Sequence, residues 1–526
     1  MKRVQSSALS ILSGLLLFAS WPAMLPSIFT LAIFFAFIPL LFIADALQKR
    51  NHFFFHAFIT LLIWNATTTW WIWNSTDVGS IAAIIANALL MCIPWLGYFI
   101  FKNKYGKKIG YISLISFWML FEYIHLNWQL SWPWLTLGNV FASNTNLIQW
   151  YEYTGVSGGS LWILLANILL FELTQKAEGK SQKLKGIIAG FVLITPMIIS
   201  FFIYPPILTL TKKTNNNVLI VQPNIDPYQK FNVQSINEQI KTLVSLSENN
   251  IDSTTQLVIW PETAMAANVS IDQVAHALIY QPIFDFINHH PNIVLLSGIE
   301  TNKNYGTEKI TSTAQRYTDG SFHDDYNAAI TIQSNQQSQF YFKSKLVPGV
   351  ETLPSFLNFM APVFEKFGGT VGGYAKDSAA VAFKTVSNPY ITAPIICYES
   401  IYGEYVTEYV KKGANILTII TNDGWWGNTP GHKQHLQYAR LRAIETRRYV
   451  ARSANTGISA VIDEKGNILQ TQPWDKAAVI KYNIPVLTEQ TFYVKHGDYL
   501  FKLFSLIGII LIVWNLFLVL KKKMLK

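Results

Sequence analysis

Three residues of different chemistry stand at the exits of short apolar runs. QLVIW (Gln256 to Trp260) delivers Pro261 and Glu262, QFYFKSKLV (Gln339 to Val347) carries Lys343 near its exit, and ITAPIICYE (Ile391 to Glu399) delivers Cys397, Tyr398 and Glu399. Runs of this kind read as strands buried on both faces, and the carboxyl ends of such strands are where α/β sheets carry out chemistry. A carboxylate, an amine and a thiol form a nucleophilic set. The carboxylate can take the thiol proton, the ammonium can lower the thiol pKa and stabilise an oxyanion, and the thiolate can attack a carbonyl carbon. Singly, each has an ordinary structural explanation: Cys397 as a small buried hydrophobe, Glu262 as a helix cap, Lys343 as a surface charge. Their joint pattern favours a site. The histidines, such as His432 and His435, show no zinc-ligand constellation with suitable acids, so no metal or other cofactor is expected.

The elements that must position these residues lie between about Asn215 and Leu487, where the composition turns polar and short β-rich runs alternate with helix-like ones. Further strands are expected at VLIVQ (Val218 to Gln222), IVLLSGI (Ile293 to Ile299), AAITIQ (Ala328 to Gln333) and NILTIIT (Asn415 to Thr421). His432 to Arg452 has helical periodicity with a basic, solvated side, and ISAVIDEKGNIL reads as a hairpin turning at Glu464 to Asn467. The chain has two cysteines, Cys92 and Cys397, which excludes a disulfide framework and leaves any thiol outside the cell unpaired.

Around this polar segment the chain is a membrane protein by composition, with 51% hydrophobic and only 14% charged residues. Apolar stretches long enough to cross a bilayer, roughly 20 residues each, number eight and begin near Ser7, Ser27, Phe53, Ser80, Ile109, Val156, Gly186 and Leu500. The net charge of +10 sits in short clusters beside these stretches, a pattern of membrane topology rather than of nucleic-acid binding. Lys2 and Arg3, Lys49 and Arg50, Lys102 to Lys108, Lys176 to Lys185 and Lys521 to Lys523 mark alternate ends of successive spans, although Lys212 and Lys213 break the pattern mildly. Cytoplasmic retention of those clusters turns the large polar segment outward. The outward loop Ser131 to Gly155 is rich in Trp and Tyr, which suit the membrane interface as anchors, with Trp134 a candidate for lining a lipid-entry site. Glu122 and Glu152 are expected at the boundary, because an ionised group deep in hydrocarbon is costly.

These residues resemble the nitrilase superfamily, and the chain as a whole resembles its apolipoprotein N-acyltransferase family. The matching stretches are VQPNI (Val221 to Ile225), IWPETA (Ile259 to Ala264), YFKSKLVPGVE (Tyr341 to Glu351), ICYES (Ile396 to Ser400) and TNDGWWG (Thr421 to Gly427), followed by QHLQYARLRAIETRRYVARSANTG. The resemblance implies an α/β, nitrilase-like αββα sandwich inserted between helices 7 and 8 of an eight-helix membrane bundle. Residues 1–210 would be the seven-helix domain, 211–490 the extracytoplasmic catalytic domain, and 491–526 the last helix with a basic tail. It implies Glu262, Lys343 and Cys397 as catalytic triad, Glu351, Tyr398 and Glu399 as support, and Trp425 as an aromatic at the substrate mouth. Phe231 stands where the family pattern has Trp, as part of an aromatic lid. Lys345 replaces the usual His, and PGVE the commoner PFGE.

The implied reaction is transfer of the sn-1 acyl chain of a phospholipid such as phosphatidylethanolamine, through a Cys397 thioester, to the α-amine of an S-diacylglyceryl cysteine in an apolipoprotein. The implied location is the bacterial inner membrane, multi-pass, with both termini cytoplasmic and the catalytic domain periplasmic. Two other readings fit parts of the chain: a membrane-tethered amidase that gives its thioester to water, and a transporter or receptor with an inactive outer domain. Both substrates of a transferase are lipid-anchored and reach the site by lateral diffusion, whereas a hydrolase of soluble amides would need one anchor. The spans lack the central cluster of ionisable residues that a coupled transporter requires.

Overall fold

A computed structural model describes residues 3–175, 180–203, 216–231, 233–353, 373–386 and 388–525. Lys176, Lys212, Lys213 and the expected domain boundary at 210 lie outside the described residues. The chain divides into two compact units, one of Met1–Trp73, Ser80–Pro205 and His496–Lys526, the other of Asn74–Gly79 and Pro206–Lys495.

The first unit is helical. Its elements are α1 (Arg3–Ser20), a 3-10 turn at Ser27–Phe34 leading into α2 (Ile38–Ala46), α3 (Arg50–Thr69), α4 (Asp77–Tyr105), α5 (Lys107–Asn127), α6 (Tyr151–Thr174), α7 (Lys180–Ile203) and a C-terminal helix, Tyr499–Met524. All eight apolar stretches are therefore helical, and among the described residues six are long and apolar enough to cross a membrane: Ser27–Ala46, Asp77–Tyr105, Lys107–Asn127, Tyr151–Thr174, Gln182–Ile203 and Tyr499–Met524. The other two differ for separate reasons, α1 being a shorter apolar helix and α3 carrying Arg50, His52, His56 and Asn65. Several buried polar side chains of this unit bond its backbone, which spares both groups in a segment shielded from water. Asn167 accepts from Phe37 N (2.8 Å) and donates to Ile33 O (2.9 Å). Glu122, near the end of α5, is enclosed at 2% exposure, accepting from Trp118 Nε1 (2.9 Å) and Leu137 N (2.7 Å).

Among the described residues the second unit has fourteen strands: β1 (Asn217–Gln222), β2 (Thr255–Ile259), β3 (Met265–Ser270), β4 (Val294–Gly306), β5 (Gln315–Arg316), β6 (Phe322–Ile332), β7 (Gln339–Phe342), β8 (Phe383–Lys384), β9 (Ile391–Ile396), β10 (Ile416–Thr421), β11 (Val450–Ala454), β12 (Ala460–Ile462), β13 (Ile468–Thr471) and β14 (Ala478–Asn483). One sheet runs β14-β1-β2-β4-β6-β5, with β3 also on β4 and β7 on β6; the other runs β13-β12-β11-β10-β9-β8. Parallel pairs flank the strands that lead to Glu262 and Cys397, β1 with β2, β2 with β4, β9 with β10 and β10 with β11, whereas β7, which leads to Lys343, is antiparallel to β6.

Alternation along the first sheet explains the layering. Val218, Ile220, Leu257, Ile259, Val294 and Leu296 join a core with Ala393 and Ile395 of the second sheet. Their neighbours Leu219, Val221, Val258, Trp260 and Leu295 pack under α8 (Val233–Glu248) and α9 (Gln281–His289). The second sheet packs with α10 (Gly403–Lys411) and α11 (Pro430–Thr446) through Val406, Val410, Leu436 and Ala439. The result is helix, sheet, sheet, helix. Both sheets are covered twice, which is why their strands read as unbroken apolar runs.

Three expectations are corrected. The run at Gln339 to Val347 is strand only to Phe342, and the run at Ile391 to Glu399 only to Ile396, so both chains turn at the polar residues. The segment His432 to Arg452 is not one helix: α11 ends at Thr446, Arg447 takes a left-handed conformation (φ 48°), and Arg452 lies in β11. Its basic side is not solvated. Arg442, Arg448 and Arg452 are buried, donating to Ile401 O (2.7 Å), Glu489 O (2.6 Å) and Ile458 O (2.7 Å) respectively. A planar guanidinium with many donors satisfies non-local carbonyls that sequence spacing does not reveal. The hairpin at Glu464 to Asn467 joins β12 to β13 as expected, with Gly466 at φ 79°.

Candidate active site

Cys397 is the first residue beyond β9 and opens a 3-10 turn, Cys397–Ile401. Its φ of 49° is in the left-handed region, as are those of Asn224 beyond β1 (56°) and Thr263 beyond β2 (48°). For residues with a Cβ this costs about 1–3 kcal/mol each, and such strain persists where surrounding contacts enforce it. Here the Ser400 hydroxyl donates to Cys397 O (2.7 Å) and Asn224 N–H donates to Asn455 O (3.1 Å). The turn lifts the thiol out of the sheet at the carboxyl end of its strand.

Glu262 stands two residues beyond Trp260, on a turn set tightly against β4. A Cβ at Gly298 would come within 2.6 Å of Glu262 Cα and of Pro261 O and closer still to Thr263 N, so only glycine lets the turn approach. Lys343, at 1% exposure, bonds both Glu262 Oε1 (3.1 Å) and Glu351 Oε1 (2.8 Å). Asn327 Nδ2 donates to the same two oxygens, at 2.8 and 2.9 Å. The remaining oxygens accept from backbone: Glu262 Oε2 from Asn422 N (3.0 Å), Glu351 Oε2 from Val347 N (2.8 Å). Two buried carboxylates thus share one ammonium and one amide. Lys343 has three protons and gives two here, leaving one for a ligand oxygen.

The electrostatics set the resting protonation. Burial pushes the Cys397 thiol up, the charge of Glu262 pushes it further, and Lys343 opposes both without prevailing. Burial acts on Glu262 in the same upward sense, but the Lys343 charge and the Asn327 and Lys343 hydrogen bonds overcome it and hold the carboxyl below its ordinary range. Burial alone would lower Lys343, yet Glu262 and Glu351 hold it well above the ordinary amine value. At neutral pH the set is a neutral thiol, a carboxylate and an ammonium, the state in which the carboxylate acts as base.

Glu399 ties the two key segments together. It accepts from Ile396 N (2.9 Å) before the cysteine and from Ser344 N (2.7 Å) and Lys345 N (3.3 Å) after the lysine, with the hydroxyls of Tyr341 and Tyr409 completing its shell. Burial raises its pKa above the ordinary carboxylate range. Tyr398 is buried and stands edge-on to Tyr402 at 5.3 Å. Lys345 lies over the rings of Tyr402 (5.2 Å) and Tyr405 (5.4 Å), so its charge is taken up by aromatic faces.

The aromatic candidates are dispersed. Trp425 is half-buried and meets Tyr228 edge-on at 5.3 Å. Phe231, 47% exposed, lines a cavity of about 420 Å³ with Ile236, Ala266 and Glu300. Trp134 belongs to the helical unit, where it is 1% exposed and packed on Trp71 (4.8 Å) and Trp132 (5.8 Å), so its ring is enclosed by neighbours. Sequence reasoning missed Asn327, although it sits one residue before the expected strand at Ala328, and Lys230. The Lys230 ammonium is buried and bonds Glu262 O (2.7 Å) and Thr263 Oγ1 (2.6 Å), fixing the left-handed turn; burial brings its pKa down to about 8 against the pull of Glu262 and Glu300.

Comparison with known proteins agrees with this geometry. The carbon-nitrogen hydrolase family model matches residues 218–492, and the apolipoprotein N-acyltransferase N-terminal domain model matches residues 13–169. An apolipoprotein N-acyltransferase of Chlorobaculum tepidum is 30% identical over 511 residues, covering 93% of this chain and 92% of that one. One of Rickettsia prowazekii is 30% identical, covering 81% and 79%. One of Thermotoga maritima is 25% identical, covering 95% and 92%. With the likeness running through the helical unit and the nitrilase-like unit alike, this chain belongs to the apolipoprotein N-acyltransferase family.

Proposed function

We propose that this chain moves the sn-1 acyl group of a phospholipid such as phosphatidylethanolamine to the N-terminal α-amine of an S-diacylglyceryl cysteine in an apolipoprotein. It is an enzyme of its family, and the observation that carries the chemistry is the buried Glu262, Lys343 and Glu351 cluster electrostatically coupled to Cys397. In the first half-reaction Glu262 takes the Sγ proton and the sulfur attacks the ester carbon. The bond to the glycerol oxygen breaks, and that oxygen leaves as lysophospholipid with the proton from Glu262. In the second, the neutral α-amine attacks the thioester carbon, Glu262 takes a proton from nitrogen, and the sulfur departs and recovers it. The products are an amide and a free thiol. The uncommitted proton of Lys343 faces the oxyanion of both tetrahedral intermediates, a contribution of about 3 kcal/mol per donor in sites of this kind.

Glu351 and Glu399 hold the lysine and cysteine segments, Tyr398 supports the turn, and Trp425 and Phe231 supply aromatic contact for acyl chains. The basic clusters assign both termini to the cytoplasm and residues 211–490 to the periplasm of a multi-pass inner-membrane protein, with α1 and α3 completing eight spans.

The test is covalent. Incubation with phospholipid should leave a hydroxylamine-sensitive acyl group on Cys397, and adding a diacylated lipopeptide should move that group to its α-amine, read by mass spectrometry. Normal activity in Cys397→Ala would reject the mechanism, and release of free fatty acid without N-acylation would make the chain a hydrolase.

A further inference from the structure

Next to Cys397 lies a second buried polar cluster that the chemistry above does not use. His435 of α11 turns Nδ1 to Asp423 Oδ1 (3.0 Å) and Nε2 to Ser400 Oγ (2.9 Å). Ser400 Oγ bonds Cys397 O (2.7 Å), and His435 Nε2 is itself 3.2 Å from that carbonyl. Arg452 Nη2 donates to the other Asp423 oxygen at 2.7 Å. Asp423, His435, Arg452 and Ser400 are all buried.

The order and distances are those of a Ser-His-Asp triad, but the serine is not a nucleophile. It is enclosed and its hydroxyl is committed to the cysteine carbonyl. Because the serine proton goes to the Cys397 carbonyl, the serine oxygen accepts from His435 Nε2–H, while Nδ1 is held between Asp423 Oδ1 and Arg452 Nη2 (3.1 Å), which fixes the ring. A second arm leaves the same carboxylate. The Thr421 hydroxyl stands between Asp423 Oδ1 (2.9 Å) and the Cys397 side chain, with a single proton to give. It points to Asp423 while the thiol is neutral and can turn to the sulfur as the thiolate forms. Asp423 therefore reaches the carbonyl of the nucleophile through His435 and Ser400, and its sulfur through Thr421.

We propose that Asp423, His435 and Ser400 are positioning residues that hold Cys397 in its left-handed conformation and aim its sulfur at the ester carbon. The proposal rests on the reading of Cys397 as the nucleophile. A displacement of about 1 Å at a reacting atom can cost on the order of 10²-fold in rate, while burial of the cluster keeps it from touching either lipid.

The experiment uses the full chain in detergent micelles, with His435→Gln, Ser400→Ala and the double variant. Single-turnover acylation of Cys397 by phosphatidylethanolamine gives rate against lipid concentration, and thermal unfolding is followed in parallel. His435→Gln should lower the maximal acylation rate about 10²-fold and Ser400→Ala about 10-fold, each with half-saturation changed less than about two-fold. The double variant should be no slower than His435→Gln alone, because residues acting as one unit do not add. A purely structural role would lower the unfolding midpoint and leave the rate per folded molecule unchanged. That result, or additive losses, overturns the proposal. Should His435→Gln fail to fold, Ser400→Ala decides alone: a rate within two-fold of the unsubstituted chain rejects positioning. Activity retained in Cys397→Ala would instead sink the nucleophile reading, a separable outcome.

Discussion

The thiol and its base are coupled in opposite senses, and that coupling can be read out. Glu262 raises the Cys397 pKa by its charge while Lys343 lowers it. Glu262→Gln should therefore shift the pH midpoint of Cys397 alkylation by iodoacetamide downward, because the largest charge that raises the thiol is removed while Lys343 remains. The same variant should lose about 10²- to 10⁴-fold in acyl transfer, the usual worth of a general base. An unchanged or raised alkylation midpoint, or full transfer activity, would refute the assignment. Lys343→Met tests the other partner. It leaves Glu262 and Glu351 sharing Asn327 with no cation bonded to either carboxylate, which should cost about 3–5 kcal/mol at neutral pH. The sign of the pH dependence should also change. In the native chain the depressed Glu262 pKa gives stability present above the unfolded carboxylate pKa and lost as pH falls through the folded one. In the variant, burial and the like charge of Glu351 raise Glu262, so the thermal midpoint between pH 8 and pH 5 should climb on acidification. A midpoint that falls on acidification would contradict it.

At the scale of elements, catalysis depends on backbones that approach closely. Gly298→Ala forces the added carbon against Glu262 Cα and Pro261 O, each at 2.6 Å, and must displace the turn that carries the base. Overpacking of this kind costs about 1–3 kcal/mol, and single-turnover thioester formation should slow about 10²-fold with little change in half-saturation. Thioester formation at the native rate would show that the turn tolerates the shift. Why some of this was legible in the chain and some was not follows from the range of the interactions. Glu262 and Cys397 announce themselves because each directly follows a doubly buried strand. Asn327 does not, since its value lies in meeting Lys343, Glu262 and Glu351 across the sheet. The arginines of ARLRAIETRRYVAR read as a solvated helical face, whereas Arg452 belongs to a central strand and pairs with Asp423, and Arg448 serves carbonyls far along the chain. β14, AVIKYN, has no apolar run to betray it and exists as a strand because β1 needs a partner.

The whole molecule joins a lipid-facing unit to a water-facing one in a single chain. In Gln182–Ile203 and Tyr499–Met524 only 11% of the apolar window is buried, so their faces are available to hydrocarbon. If the basic clusters set topology, a reporter active only outside the cytoplasm should be active when inserted after Asn216, and one active only in the cytoplasm should be active after Met524. The reverse pattern would invert the assignment. The register of β1 on β14 has a further consequence, for synthesis. Asn217 lies directly opposite Asn483, so the first and last strands of the catalytic unit are neighbours, roughly 5 Å apart. It means that β1, among the first parts of this unit to be translated, keeps one hydrogen-bonding edge open until nearly the whole unit has been made. The nascent chain therefore needs protection from edge-to-edge pairing for most of its translation, and completion of the sheet becomes a late event that coincides with arrival of the last helix.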